Sequence, residues 1–398
     1  MAGSSSSVRL LKIDPPTACD LDRSVRKLPL FLSLAVMAIT GLSFVGCQKS
    51  NDKIKVGLAA VQSGSDAQIG LTMVQGSQIA IDEWNAKGGV LGKQIETISL
   101  DDEGKPDKAV NVAQTLVDSG VVSVLGHLNS GCSIPASRVY NAGKVIQITP
   151  GSTNPLLTEQ GYNYTFRICG RDDQQGKVAG AYLRDTLKLN TIAILHNKTA
   201  YGEGLATEVQ KTFESKGGKV AVFQGIGTDE NDFSANVSVI KGSGAEGFFW
   251  GGMYGQAGPL GVKMRESGLE IPFVSGDGSF DQTLINNLGK YGTNIFLTFG
   301  RDYKSAPAAQ PFLEKYKAKY GEPGAYSVYG YDAANVYLTA VQQAGTTDPD
   351  KVAAVLKGRA FDTILGKVEF DAKGDPKTSG FVLWTIKDGK FEVLPETP

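Results

Sequence analysis

Histidine is nearly absent: His127 and His196 are the only two in 398 residues. That leaves little for imidazole metal ligation or general base chemistry, and each follows an apolar run, where a packed strand end is the expectation. Cysteine is scarce as well; four residues exclude a disulfide-stapled fold and a Cys-rich zinc module. Neither sign of charge is in surplus, with 40 Lys and Arg against 41 Asp and Glu, whereas nucleic-acid binders carry a basic excess. Phosphate-cradling loops are missing too, because every Gly-Lys pair is followed by Val, Gln, Pro, Tyr or Phe and never by Ser or Thr. There is no Gly-x-Ser-x-Gly elbow, and no Gly-x-Gly-x-x-Gly follows a strand. Asp101-Asp102 and Asp172-Asp173 fall at strand-to-loop boundaries, where solvated or turn-forming acids are expected; nothing sets the separation that glycosidase chemistry requires. No cofactor, metal or catalytic group is expected.

What is present begins with a processing segment. Residues 1–22 have no packing period, and Arg23, Arg26 and Lys27 then precede an apolar run over 28–46 that stops at Cys47. Basic residues, an apolar stretch and small Gly46 make an export signal. The competing reading is an uncleaved membrane helix, since the run approaches the roughly 20 residues that span a bilayer. Val45-Gly46-Cys47 resembles the lipobox of bacterial lipoproteins, with Phe44 where Leu is usual; this implies lipidation of Cys47, with residues 47–52 as a tether. Loss of residues 1–46 removes five basic and three acidic residues and leaves a net charge of −3. In an oxidising envelope compartment, Cys132 and Cys169 are read either as a disulfide or as two separate buried thiols.

From Lys53 onward, β-branched runs alternate with amphipathic helices, the pattern of βαβ units in a parallel sheet. Strands are expected at 54–60, 95–100, 121–125 and 144–148. A helix is read between the second and third, with Ala109, Val112, Ala113, Leu116 and Val117 at helical spacing. The rhythm restarts after Asp172 with strands at 191–195, 220–223, 248–250, 272–275 and 294–299. Helices are expected at 205–213, 326–344 and 349–356. Lys-Gly-Gly at 87–89 and again at 216–218 ends a helix in each half, which suggests two lobes of similar α/β architecture. The chain closes with a hairpin whose turn is Asp388-Gly389.

Polar loops at the carboxyl ends of strands are where open α/β sheets bind ligands. After the third strand, Gly126-His-Leu-Asn-Ser130-Gly-Cys-Ser-Ile-Pro135 leads into a helix whose first turn is expected to contain Pro135. Ser130 beside free N–H groups would suit an anion, or would simply cap that helix. The next loop, Thr149-Pro150-Gly151-Ser152-Thr153-Asn154-Pro155, offers carbonyls, N–H groups and hydroxyls together. In the second half, Tyr201, Tyr254 and Asp277 follow strands, each with an equal reading as core aromatic or turn acid.

These segments, in this order, resemble the periplasmic leucine/isoleucine/valine-binding proteins of ABC transporters. The most specific are Asn85-Ala-Lys-Gly-Gly, Gly126-His-Leu-x-Ser130, Ser137, Pro150-Gly-x-Thr-Asn-Pro, Thr158-x-x-Gly-Tyr162, Asp172-x-x-Gln-Gly176 and Tyr201-Gly-Glu-Gly-Leu. The resemblance implies two Rossmann-like lobes, a type I periplasmic binding fold of the Venus-flytrap kind, joined by three crossovers near residues 171, 300 and 378. Lobe 1 would be 53–171 with 301–378, and lobe 2 would be 172–300 with 379–398. By position, Ser130 matches the group that binds an amino acid's α-carboxylate. Thr153 matches one that contacts carboxylate and ammonium, and Gly151 one whose carbonyl accepts from the ammonium. Asp277 stands where the family has an acidic ammonium partner, usually Glu. Tyr201 matches an aromatic wall and Tyr326 another near the mouth, with Ser152 in the same loop as Gly151 and Thr153. Ile69 and Met253 replace aromatic residues of the side-chain pocket, with Tyr254 expected to compensate. The cysteines that bridge in enteric relatives are replaced by Gly104 and Asn129, so Cys132–Cys169 is expected as a substitute.

The implied function is capture of a neutral, branched-chain amino acid and its delivery to an ABC permease by a monomeric, lipid-anchored protein of the periplasm or cell envelope. A sensor or co-receptor of the same fold for amides, urea or other small carboxylates is the alternative. An amidase-type enzyme is a third reading, one that lacks an evident nucleophile and base.

Overall fold

The computed structural model describes residues 52–378 and 380–395. The export signal, Cys47 and nearly all of the tether lie outside the described residues.

Two parallel sheets organise the chain. The first contains β1 (Ile54–Ala60), β2 (Ile95–Asp101), β3 (Ser123–Gly126), β4 (Ile146–Thr149) and β5 (Thr165–Arg167), in the order β2-β1-β3-β4-β5. The second begins with β6 (Thr191–His196), β7 (Lys219–Gly225), β8 (Gly247–Gly251), β9 (Phe273–Ser275) and β10 (Ile295–Phe299). Its parallel part runs β7-β6-β8-β9-β10, so the order of the first sheet is repeated. Both sheets therefore have a switch point beside their first strand, where connections diverge and a crevice opens at the carboxyl ends. The inner strands β3, β4 and β8 are short and buried on both faces, Phe248, Phe249 and Trp250 fully so, and such strands read as continuous apolar runs; the edge strands β2 and β7 are partly exposed.

The chain passes between the sheets three times. It leaves the first after β5, returns after β10, and finally re-enters the second as β13 (Val382–Lys387) and β14 (Lys390–Val393), beyond a small hairpin of β11 (Ala360–Thr363) and β12 (Gly366–Glu369). β13 pairs antiparallel with β10, and Lys387 opposite Lys390 makes Asp388-Gly389 the turn, both at positive φ. On the middle passage, the helix Ser327–Ala344 packs on the helix Ala67–Ala86. Contact is close because Gly76 and Gly330 have no Cβ to strike the Ser327 and Met73 carbonyls.

Three expectations are corrected. The helix expected to start near Pro135 spans Ser130–Ala142 and holds Pro135 in its interior, near enough the start that few backbone bonds are lost. The helix expected at 205–213 extends over Ala200–Ser215, started by the Thr199 hydroxyl accepting from Gly202 N–H. Cys132 and Cys169 are buried, unbridged thiols: Cys132 lies in the first turns of the helix Ser130–Ala142, whereas Cys169 follows β5 with its Sγ 3.5 Å from the Ser152 carbonyl.

Candidate functional site

The crevice between the sheets holds a narrow cavity of about 20 Å³, little more than room for one water molecule. Every wall is a residue just beyond the carboxyl end of a strand or at a helix start: Leu128, Asn129 and Ser130 after β3, Gly151 after β4, Ile69 in the helix after β1, and Tyr326 preceding the helix Ser327–Ala344. Tyr201 after β6, Met253 after β8, and Asp277 with Gly278 after β9 face them.

One end of the cavity donates hydrogen bonds. Ser130 is 1% exposed, and its Oγ accepts from Asn154 N–H at 3.1 Å, which leaves its own proton free to donate. The other end is anionic. Asp277 is buried, with Oδ1 accepting from the Tyr201 hydroxyl at 2.9 Å and Oδ2 accepting from the Tyr326 hydroxyl. Tyr201 is fixed in turn by Gly278 N–H, which donates to its oxygen at 2.9 Å. Burial raises the Asp277 pKa, and the two tyrosines pull it back. Burial, with the Asp277 charge, holds both phenols far above their ordinary value, so they remain donors. Between the two ends lie apolar Ile69, Leu128 and Met253.

Ser130, Gly151, Tyr201, Asp277 and Tyr326 thus converge on one cavity, while three other candidates stand elsewhere. Ser152 does not face the cavity: its hydroxyl donates to Leu128 C=O at 2.9 Å and lies 2.6 Å from Ser133 Oγ, so it braces the turn that carries Ser130. Tyr254 points its hydroxyl at the N–H groups of Gln68 and Ile69, at the start of the helix Ala67–Ala86, and leaves the wall to Met253. Thr153, buried beside Asp172, lines a neighbouring cavity shared with Asp277 and Tyr326. Leu128, Asn129 and Gly278 were not singled out from sequence, although each adjoins a residue that was.

Of the acids at the strand ends expected to be solvated or turn-forming, Asp101 is turn-forming, whereas Asp102 and Asp172 are buried and are corrected. Asp101 forms a turn, accepting from Gln62 and Glu103 N–H at 2.8 Å. Asp102 is fully buried, with Oδ2 2.6 Å from His127 Nδ1, and His127 Nε2 lies 2.9 Å from the Tyr140 hydroxyl. That chain ties the loop after β2 to the loop carrying Ser130, and it removes the His127 ring from the cavity. Asp172 is also fully buried. Arg167, likewise buried, contacts Asp375 Oδ1 at 2.6 Å and donates to the Ser152 and Asn154 carbonyls on either side of Thr153.

Known proteins resemble this chain over most of its length. An amino acid binding protein of Pseudomonas aeruginosa is 39% identical over 92% of this chain and 97% of its own length. A Leu/Ile/Val-binding protein homologue of Brucella abortus is 38% identical over 92% and 99%. Among solved structures, a leucine binding protein of Thermotoga maritima superimposes with a TM-score of 0.81 at 29% identity, covering 86% of this chain and 98% of that one. A branched-chain amino acid transporter substrate binding protein of Streptococcus pneumoniae, solved with isoleucine, gives 0.79 at 28% identity over 86% and 99%. The family model described as periplasmic binding protein matches residues 53–390, and the chain belongs to that family.

Proposed function

We propose that this protein is the extracytoplasmic substrate-binding component of an ABC transporter and captures a neutral, branched-chain amino acid between its two lobes. The observation that carries the reading is a small cavity with hydrogen-bond donors at one end, a buried carboxylate at the other and an apolar waist. A zwitterion taken out of water needs both charges met by charge-assisted bonds, and its side chain needs an apolar wall. Ser130 would receive the carboxylate, Gly151 C=O and Thr153 would share the ammonium with Asp277, and Tyr201 and Tyr326 would close over the head. The relatives named for leucine, isoleucine and valine support the ligand class.

Lobe 1 is taken as 53–171 with 301–378, and lobe 2 as 172–300 with 379–398; sheet membership supports this for the strands up to β10 and for β13 and β14, and the packing of the helix Ser327–Ala344 on the helix Ala67–Ala86 supports it for the middle passage. Lipidation of Cys47, export to the periplasm or cell envelope and action as a monomer beside a permease complete the proposal. The sensor alternative for amides or urea is less well supported, since those ligands present no ammonium for Asp277. An amidase would need a base at the cavity, but His196 is turned to Lys198 N–H and His127 is held between Asp102 and Tyr140.

The test is a thermal-shift screen of the mature protein against the common amino acids. Ligand that binds only the folded state stabilises it by about 2.7 kcal/mol at a hundredfold excess over Kd. Leucine, isoleucine or valine should raise the melting temperature by several degrees; a flat response to all amino acids would overturn the reading.

A further inference from the structure

The cavity is flanked on two sides by bonds between protein groups alone. With room for little more than one water molecule, it admits an amino acid only when the lobes part. Besides Tyr326 and Asp277, which meet inside the cavity, two further contacts cross from lobe 1 to lobe 2 at its rim. They must break whenever the cavity opens.

On one flank, Asn154 Nδ2 donates to the Ala200 carbonyl at 2.6 Å. Its Oδ1 accepts from Leu156 N–H at 2.9 Å, so the amide is already aimed before the lobes meet. On the other flank, the helix Ala67–Ala86 begins without a side-chain cap of its own, and the first N–H groups of a helix have no partner within it. Tyr254, 2% exposed, supplies the missing acceptor: its hydroxyl oxygen receives the Gln68 and Ile69 N–H groups from across the cleft.

Glycine marks the same seam. Gly204 and Gly255 stand in the first two turns of the helices Ala200–Ser215 and Tyr254–Glu266, where glycine is a poorer helix former than alanine, and neither has a positive φ that would call for it. Close approach gives the reason. A Cβ at Gly204 would lie 2.5 Å from Asn154 Nδ2, and one at Gly255 would lie 2.9 Å from Asp66 Oδ1 and 3.3 Å from Ser65 Cβ. All the groups that would be struck belong to lobe 1.

We propose that this rim is a ligand-independent latch: Asn154 on Ala200 and Tyr254 on the start of the facing helix hold the lobes shut, so that part of the protein is closed without ligand and bound ligand leaves only as fast as the latch releases. Each bond is exchanged for bonds to water when the lobes part, so each shifts the balance by a modest factor, about two- to tenfold. The latch favours closure with or without ligand, because it makes no use of one. It therefore acts on residence time more than on the choice of amino acid, and it holds whichever ligand the cavity takes.

Small-angle X-ray scattering of the mature protein without ligand tests this. Wild type should be more compact than Tyr254→Phe combined with Asn154→Ala, which lacks both bonds. In stopped-flow dissociation, leucine should leave each single variant about two- to tenfold faster than wild type, and the double variant faster still. A second pair of substitutions, Gly204→Ala with Gly255→Ala, wedges the seam without removing a polar group. It should expand the ligand-free protein too, while the urea midpoint stays level or rises, since alanine favours both helices. Equal radii of gyration for wild type and both double variants, or leucine dissociation at the wild-type rate from each, would overturn the latch. So would a loss of stability in the glycine variant, because the methyl groups would then be striking their own lobe. Scattering uses no ligand, so these outcomes are separate from a failure of leucine to bind, which would overturn the amino-acid reading instead.

Discussion

Asp277 shows how much one side chain can be asked to do. It lines the cavity with both its oxygens held, by Tyr201 and Tyr326. Asp277→Ala removes a charge-assisted bond worth roughly 1.5–3 kcal/mol, so leucine should bind about 10- to 150-fold more weakly. Titration calorimetry at fixed pH reads this directly, and an unchanged Kd would take Asp277 out of the site. The position was legible in the sequence because a polar residue directly beyond an apolar strand of a doubly wound sheet points to the ligand edge. Ser152 and Tyr254 share that signal yet face elsewhere. The difference lies in tertiary detail: a serine one residue along turns its hydroxyl to Leu128, and a tyrosine one residue along turns to the facing helix. Asp172 was misjudged for a related reason. A solvated turn acid and a buried one have the same sequence signature, and only packing separates them.

Among elements, the strands were read best. The two-sided burial of the inner strands makes an apolar run conspicuous, and the closing hairpin announced itself through Asp388-Gly389. β5, at three residues, and the β11–β12 hairpin carry too little pattern to stand out. Helix ends were harder, because the start of Ala200–Ser215 is fixed by the Thr199 cap and not by apolar spacing. The pair Ala67–Ala86 and Ser327–Ala344 connects element packing to the site, since one carries Ile69 and the other follows Tyr326. Gly76→Ala places a methyl group against the Ser327 carbonyl. Overpacking of this kind costs about 1–3 kcal/mol, which should appear as a lower urea midpoint with an unchanged m value. The displaced helix start should also weaken ligand binding. A variant as stable and as tight as wild type would mean the two helices slide apart freely, contrary to their close contact.

At the scale of the molecule, a trap needs lobes that move as units and crossings that do not unravel. The repeated strand order supplies two similar halves, and the crossings are secured by a buried ion cluster. Asp375, on the last return, contacts Arg167 Nε and Arg171 Nη1, each at 2.6 Å, so the ends of the first and third passages are tied to one another. Arg171 also pairs with Glu159 and Asp173, whereas Arg167 is wholly buried and has Asp375 as its ionic partner among the described residues. Asp375→Ala therefore strands a buried guanidinium, a loss of about 3–5 kcal/mol in comparable pairs. Arg167 also holds the Ser152 and Asn154 carbonyls, so its movement should disturb Thr153 and weaken leucine binding as well as stability. Replacing both partners, as Arg167→Met with Asp375→Leu, removes the stranded charge and should recover most of the stability but not the affinity, because the loop carbonyls lose their donor. Urea unfolding and calorimetry on the single and double variants separate the two effects. If the single variant unfolds at the wild-type midpoint, the cluster does not hold the crossings; if the double variant binds as tightly as wild type, Arg167 does not shape the ligand loop.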